Sequence, residues 1–156
     1  MQETFLSEFQ KRSYFNQCTD QSELENVLSR SKIKAYIGFD CTAPSLHVGS
    51  LIQLMLIRII QKTGNQPIVL LGGGTSKIGD PSGKSDTRNR IRSKDVSKYS
   101  GNVLSIIKEI LHKENLEIVS NKDWLKSLSV NEMLELASST TLAQMMERED
   151  FSTRYS

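Results

Sequence analysis

The apolar positions along the chain change period several times, and each period indicates a different element. Phe5 and Phe9 have helical spacing in the opening segment, and Asp20 with Glu23 forms a capping-box pattern that predicts a second helix. The run AYIGF at 35–39 is short, apolar and bounded by charge, which is typical of a buried strand. The chain is therefore expected to begin with two helices and then enter a sheet.

A long helix is predicted from about His47 to Lys62. Its apolar residues cover most of the circumference, so we expect it to be buried against a sheet: Leu51, Ile52, Leu54, Met55, Leu56, Ile59 and Ile60. Gly64 is a plausible C-cap, and 67–71 is a second apolar strand. Strand, helix and strand with this crossover length predict a parallel βαβ unit.

The second half of the chain continues the same alternation. A third strand is predicted at 116–119, followed by short helices at 121–126 and 129–136. Before that strand, apolar residues at helical spacing predict a long amphipathic helix: Val103, Leu104, Ile106, Ile107, Ile110 and Leu111. Together these elements predict an α/β fold with a parallel sheet and N-terminal helices.

Composition sets broad limits on the function. The 156 residues are 37% hydrophobic, enough for one domain with a sizeable core, and 20 basic against 18 acidic side chains neither require nor exclude a nucleic-acid partner. Cys18 and Cys41 form no CxxC pair, which argues against a disulfide framework or structural zinc. The opening residues resemble no signal or transit peptide, and no apolar run has the length of a membrane span, so a soluble, cytoplasmic protein is expected.

A glycine-rich loop, GGGTSKIGDPSGKS at 72–85, follows the second strand. It is not a P-loop, because only three residues separate Gly79 from Gly83 and Ile78 stands where that motif needs glycine. The loop nevertheless lies at the carboxyl end of a predicted parallel strand. Ligands bind at that edge of open parallel sheets, so the position favours a binding role.

The junction between the first strand and its helix reads FDCTAPSLHVGS, residues 39–50. Pro44 and Ser45 suit a turn into a helix whose first turn contains His47 and Gly49. Unpaired N–H groups and the helix dipole favour an anion at such a position. Taken alone, a histidine beside a helix start is more often a capping or packing residue.

The two segments together resemble the catalytic domain of tyrosyl-tRNA synthetases, which are class I aminoacyl-tRNA synthetases. The resemblance runs from about Lys34 to Arg88, and HVGS at 47–50 is similar to the class I HIGH signature. It implies a Rossmann-like sheet, with 1–33 as an N-terminal helical elaboration and 34–156 as an incomplete catalytic domain. The KMSKS-type lysine loop and the tRNA-reading region of the family are not found before Ser156, so a truncated chain is expected.

The resemblance also implies the reaction and its partners. Enzymes of this family join L-tyrosine to ATP, giving tyrosyl-adenylate and pyrophosphate, and then transfer tyrosine to the 3′ end of tRNA(Tyr). Catalysis then rests on positioning and charge stabilisation, since no covalent enzyme intermediate forms. Mg²⁺ is implied with ATP. The family is homodimeric, and the helices after Val119 are expected to adjoin that interface.

Five residues match the ATP side of the family's site. His47 corresponds to the histidine that hydrogen-bonds the phosphates, and Gly49 to the glycine beneath the adenine. Asp40 and Thr42 match residues near ATP. Ser50 stands where the family carries its second histidine; serine can still donate one hydrogen bond, so ATP binding is expected to be weakened or rearranged.

Four residues match the tyrosine side. The hydroxyl of Tyr36 is implied to meet the phenolic OH of the substrate, and Gly38 follows on the same strand. Asp80 is implied to pair with the substrate ammonium, with Thr75 in the same wall. Glycines of the loop are expected to let the chain turn tightly beside the bound amino acid. Without the family, Tyr36 is a packed strand aromatic and Asp80 a turn residue.

Lys84 and Arg88 match basic residues of a loop that closes over the leaving pyrophosphate, where positive charge stabilises the transition state. A solvated basic surface is an equal alternative for both. For the chain as a whole, a second hypothesis stays open: a non-catalytic fragment that keeps the fold and half of the binding site, or binds a partner.

Overall fold

The computed structural model describes residues 4–77, 91–111, 114–147 and 149–155. Within these ranges the strands are β1 (Lys34–Phe39), β2 (Gln66–Leu71) and β3 (Glu117–Ser120). The helices there are α1 (Phe5–Lys11), α2 (Gln21–Arg30), α3 (Val48–Lys62), α4 (Ser93–Ile110), α5 (Asn121–Leu125), α6 (Val130–Ser138), α7 (Leu142–Met146) and α8 (Glu149–Tyr155). A single 3₁₀ turn covers Thr75–Lys77.

The three strands form one parallel sheet in the order β1-β2-β3. Tyr36 is opposite Ile68, and Ile68 is opposite Glu117. α3 connects β1 to β2, and α4 lies between β2 and β3, so the predicted strand-helix-strand unit and its third strand are confirmed. Because the strands are parallel, the residues that follow them meet at one edge of the sheet.

The main core lies between the sheet, α3 and α4. Ile57 on α3, Val69 on β2 and Ile107 on α4 are completely buried there. A second cluster joins α1 to the far side of α3, through Phe5 and Ile60. The predicted N-terminal helices thus pack on the βαβ unit. None of the helices within the described ranges has the length and apolarity needed to cross a membrane.

The expectation that α3 is buried around most of its circumference is wrong for its first turns. Leu51 is 47% and Ile52 53% exposed, whereas Leu54 is 2% exposed. The helical period shows which residues of α3 are apolar, but not what packs against them. β1 is the edge strand of the described sheet, so no further strand there covers the first turns of α3.

The C-terminal end of α3 confirms the predicted glycine cap. Gly64 adopts the left-handed conformation, with φ 77°, and its N–H donates to the Gln61 carbonyl at 2.9 Å. The N–H of Asn65 donates to the Ile60 carbonyl at 3.1 Å, which completes a Schellman motif. The helix therefore stops where β2 must begin.

Candidate functional site

A cavity of about 560 Å³ opens at the carboxyl edge of the sheet, where the three strands end. We call it the strand-end cavity. Asp40 follows β1, Gly72 follows β2 and Asn121 follows β3. Its lining consists of Gly38, Phe39, Asp40, Thr42, Ser45, Leu46, His47, Gly49, Ser50, Ile52, Gln53, Leu70, Gly72, Thr75 and Asn121.

Most residues expected on the ATP and tyrosine sides lie in this one cavity. The shared set is Gly38, Asp40, Thr42, His47, Gly49, Ser50 and Thr75. Tyr36 lies on β1 with 69% of its surface exposed and is not part of the lining. Asp80, Lys84 and Arg88 lie outside the described residues. The predicted roles of all these residues stay predictions.

His47 sits at the start of α3. It is the N-cap residue, with extended backbone, and its side chain makes no capping hydrogen bond. Its carbonyl accepts from the Ser50 N–H at 2.9 Å. Because the imidazole is not used to cap the helix, it can contact a ligand in the cavity. This geometry disfavours the capping alternative for His47.

Gly49 leaves room for that imidazole. A β-carbon at Gly49 would lie 2.9 Å from Cε1 and 3.0 Å from Nδ1 of His47, closer than normal contact. The first turn of α3 also presents unpaired backbone N–H groups and the positive end of the dipole. Histidine, bare backbone and dipole together suit an anionic group such as a phosphate.

The loop between β1 and α3 is held by two hydrogen bonds from other elements. The N–H of Cys41 donates to Ser76 Oγ at 2.9 Å, and Asn102 of α4 donates to the Pro44 carbonyl at 3.0 Å. Burial raises the pKa of the Cys41 thiol, which disfavours the thiolate form that a nucleophile needs. The loop is thereby fixed relative to β2 and α4.

The glycines after β2 are required by close packing. The chain turns directly after β2, where the Ser76 N–H donates to the Gly72 carbonyl at 2.9 Å, and none of Gly72, Gly73 and Gly74 needs a positive φ for this turn. A β-carbon at Gly72 would lie 3.0 Å from Asp40 Oδ1, and one at Gly73 would lie 2.8 Å from Ser120 Oγ. Small residues let the ends of the three strands approach one another.

Asn121 is a site residue that the sequence analysis missed. It is 9% exposed, its Oδ1 accepts from the Gly74 N–H at 2.7 Å, and its Nδ2 donates to Thr75 Oγ1 at 2.9 Å. It therefore ties β3 to the glycine loop and orients the Thr75 hydroxyl. The available signal was its place directly after the third parallel strand.

Replacing Asn121 by alanine is expected to lower the free energy of unfolding by about 1–3 kcal/mol, because it leaves the Gly74 N–H unpaired in a half-buried position. Urea unfolding measures this loss. Asn131→Ala, at an exposed position of α6, is the control and should change stability by less than about 0.5 kcal/mol. Equal losses in the two variants would show that Asn121 does not hold the loop.

Comparison with known proteins gives the chain its relatives. The sequence profile of the family tRNA synthetases class I (W and Y) matches residues 28–156. The tyrosine–tRNA ligase of Pelagibacter ubique (strain HTCC1062) is 51% identical over 129 residues, which cover 80% of this chain and 32% of the ligase. The tyrosine–tRNA ligase of Anaplasma phagocytophilum (strain HZ) is 42% identical over 153 residues, covering 97% of this chain and 37% of the ligase.

Solved structures agree on the fold. A C-terminally truncated mitochondrial tyrosyl-tRNA synthetase of Aspergillus nidulans superposes with a TM-score of 0.82 at 22% identity, covering 98% of this chain and 47% of that chain. The chain spans about a third of the length of the curated relatives that it matches. On the profile match and these identities, the chain belongs to the class I tRNA synthetase family of the W and Y enzymes.

Proposed function

We propose that this chain supplies the ATP-binding and tyrosine-binding edge of a tyrosine–tRNA ligase. The observation that carries the proposal is the strand-end cavity, which brings His47, Gly49 and Asp40 together at the carboxyl edge of a parallel sheet. The tyrosine–tRNA ligases that resemble the chain supply the substrate class. The ligand-binding side chains are then the ones that the sequence resemblance implies.

In this proposal, the phosphates of ATP lie against the first turn of α3. The His47 imidazole donates a hydrogen bond to the α-phosphate as tyrosine attacks it and negative charge develops, and the helix N-terminus stabilises the same charge. Gly49 gives the adenine a flat surface. Thr75, oriented by Asn121, and Asp80 bind the amino acid on the opposite side, and Lys84 and Arg88 contact the pyrophosphate.

Mg²⁺ is proposed to enter as the counter-ion of ATP and to neutralise part of the phosphate charge. No side chain of this chain is assigned to it. Transfer of tyrosine to tRNA(Tyr) in the cytoplasm is proposed for the complete ligase only. Residues 1–33 are proposed as an elaboration on 34–156, since α1 and α2 pack on α3 from outside the sheet.

Tyrosine-dependent ATP–pyrophosphate exchange tests the proposal. The test protein is a chimeric ligase, in which this chain replaces the matching third of the Pelagibacter ubique enzyme. We expect exchange above that of the same ligase with the segment deleted. A folded chimera that binds ATP without exchange would favour the non-catalytic alternative, and one that binds neither substrate would contradict the proposal.

A homodimer is proposed through α6. All nine residues of this helix are exposed, yet Val130, Met133 and Leu134 form an apolar stripe with exposures of 77%, 54% and 64%. A second copy would cover that stripe across a two-fold axis.

Replacing Leu134 by lysine is expected to raise the dissociation constant of the dimer roughly tenfold or more, because a charge would enter an apolar interface. Sedimentation equilibrium measures the constant. Glu135→Gln changes the net charge by the same amount on the polar face of α6, and it should leave the dissociation constant unchanged. A monomeric wild-type chain, or equal effects of the two changes, would count against this interface.

A further inference from the structure

A second cavity lies at the opposite end of α3 from the strand-end cavity. It has a volume of about 370 Å³ and opens between α1 and the C-terminal half of α3, and we call it the α1–α3 cavity. This volume falls in the range of small-molecule sites. None of its lining residues takes part in the proposed ligase chemistry.

Positive charge exceeds negative charge around this cavity. Among the described residues, the lining contains the cations Arg12, Arg58 and Lys62 and one carboxylate, Glu8. Glu8 already accepts a hydrogen bond from Arg12 at 3.0 Å and pairs with Lys11 at 3.4 Å. The hydrogen bond from Arg12 holds the pKa of Glu8 below its usual range, and Glu8 is already paired with Lys11 and Arg12 of its own segment.

The two cations on α3 have no such balance. Arg58 and Lys62 are four residues apart on one helix face, where like charges repel. Among the side chains that the structure describes, no carboxylate lies within 4.0 Å of either one. Arg58 donates one hydrogen bond, to the Ile110 carbonyl at 3.3 Å, and so retains further donors.

The helix dipole explains only part of this charge. Cations are favoured in the last turn of a helix, which accounts for Lys11 on α1 and Lys62 on α3. Arg58 lies one turn earlier, where the dipole has little effect. One of its donors reaches the Ile110 carbonyl at the end of α4, and its remaining donors can contact a ligand in the cavity.

The rest of the wall is apolar and contains one aromatic ring. Met55 and Ile59 of α3 face Tyr14, which is 37% exposed. Tyr14 follows a Schellman motif in which Ser13 takes the left-handed conformation, with φ 58°, at the position where glycine is usual. That strained turn brings the chain, and with it Tyr14, back against the cavity.

We propose that the α1–α3 cavity binds a small organic anion that carries one flat ring, with Arg58 and Lys62 contacting its phosphate or carboxylate and Tyr14 contacting the ring. Two cations select the anionic group, since neither is paired with a carboxylate among the residues that the structure describes. An aromatic wall beside them selects the ring. The proposal is independent of the ligase function because the two cavities share no residue.

Amide chemical-shift mapping on the whole chain tests the proposal, with uridine monophosphate, uridine and inorganic phosphate as probes. Uridine monophosphate should shift the amide signals of Tyr14, Lys62 and Thr63. It should also bind more tightly than uridine or inorganic phosphate. Benzoate in a parallel titration distinguishes a carboxylate site from a phosphate site. Shifts confined to the strand-end cavity, or none with any anionic probe, would overturn the proposal without touching the ligase assignment.

Variants make the same test quantitative. Arg58→Gln with Lys62→Gln should weaken binding of the anionic probe roughly tenfold or more. Lys94→Gln with Lys98→Gln removes the same charge from exposed positions of α4 and should leave binding unchanged. Lys62→Gln alone, at an exposed position, keeps the test valid if the Arg58 change unfolds the chain. Equal binding by the two double variants would overturn the proposal.

Discussion

Replacing His47 by alanine in the chimeric ligase is expected to lower kcat for ATP–pyrophosphate exchange by roughly 10²–10³-fold, the usual loss for one donor aimed at developing charge. The reason lies in the start of α3. His47 lines the strand-end cavity and makes no capping hydrogen bond, so its imidazole is available to the α-phosphate. Steady-state exchange rates at varied ATP and tyrosine concentrations measure the effect.

The pattern of the kinetic change matters as much as its size. The KM for tyrosine should stay nearly constant, because the proposed amino-acid contacts come from β1 and the loop after β2 and not from His47. Val48→Ala is the matched control, since Val48 is 86% exposed and outside the cavity lining. If both variants retain normal exchange, His47 has no role in the chemistry and is only a packing residue.

Replacing Ile107 by alanine is expected to lower the free energy of unfolding by about 2–5 kcal/mol. Ile107 is completely buried between α4 and the sheet, where it contacts the cluster that includes Ile57 and Val69. Removing three carbon atoms loses their transfer energy and leaves a cavity that the close-packed core fills only in part. Urea or thermal unfolding measures the loss.

Ile52→Ala provides the matched control for that core substitution. The residue type and the removed volume are the same, but Ile52 is 53% exposed. Its replacement should cost less than about 1 kcal/mol. Comparable losses at Ile52 and Ile107 would mean that the core does not lie between the sheet and α4.

Local patterns predicted the features that depend on local chemistry. The start of α3 beside His47 follows from the turn residues and the change of period, and its end at Gly64 follows from glycine's freedom at φ 77°. The parallel direction of the strands follows from strand-helix-strand spacing. Each of these depends on neighbours within a few turns of the chain.

Features that depend on distant neighbours were missed. Asn121 joins the site because β3 ends beside Gly74, a pairing set by residues 47 positions apart. Leu51 is exposed because the described sheet does not extend past β1. The helical period of α3 carries no information about the extent of the sheet. The glycines after β2 lie in a turn as expected, but the sequence did not show that Asp40 and Ser120 approach them closely.

The most direct test of the central claim is where ATP binds on this chain. Amide chemical-shift mapping with ATP should move the signals of Gly49, Ser50 and Gly72, which line the strand-end cavity. His47→Ala should weaken that binding while Val48→Ala should not. Shifts at a different surface, or no ATP binding by a folded chain, would contradict the account.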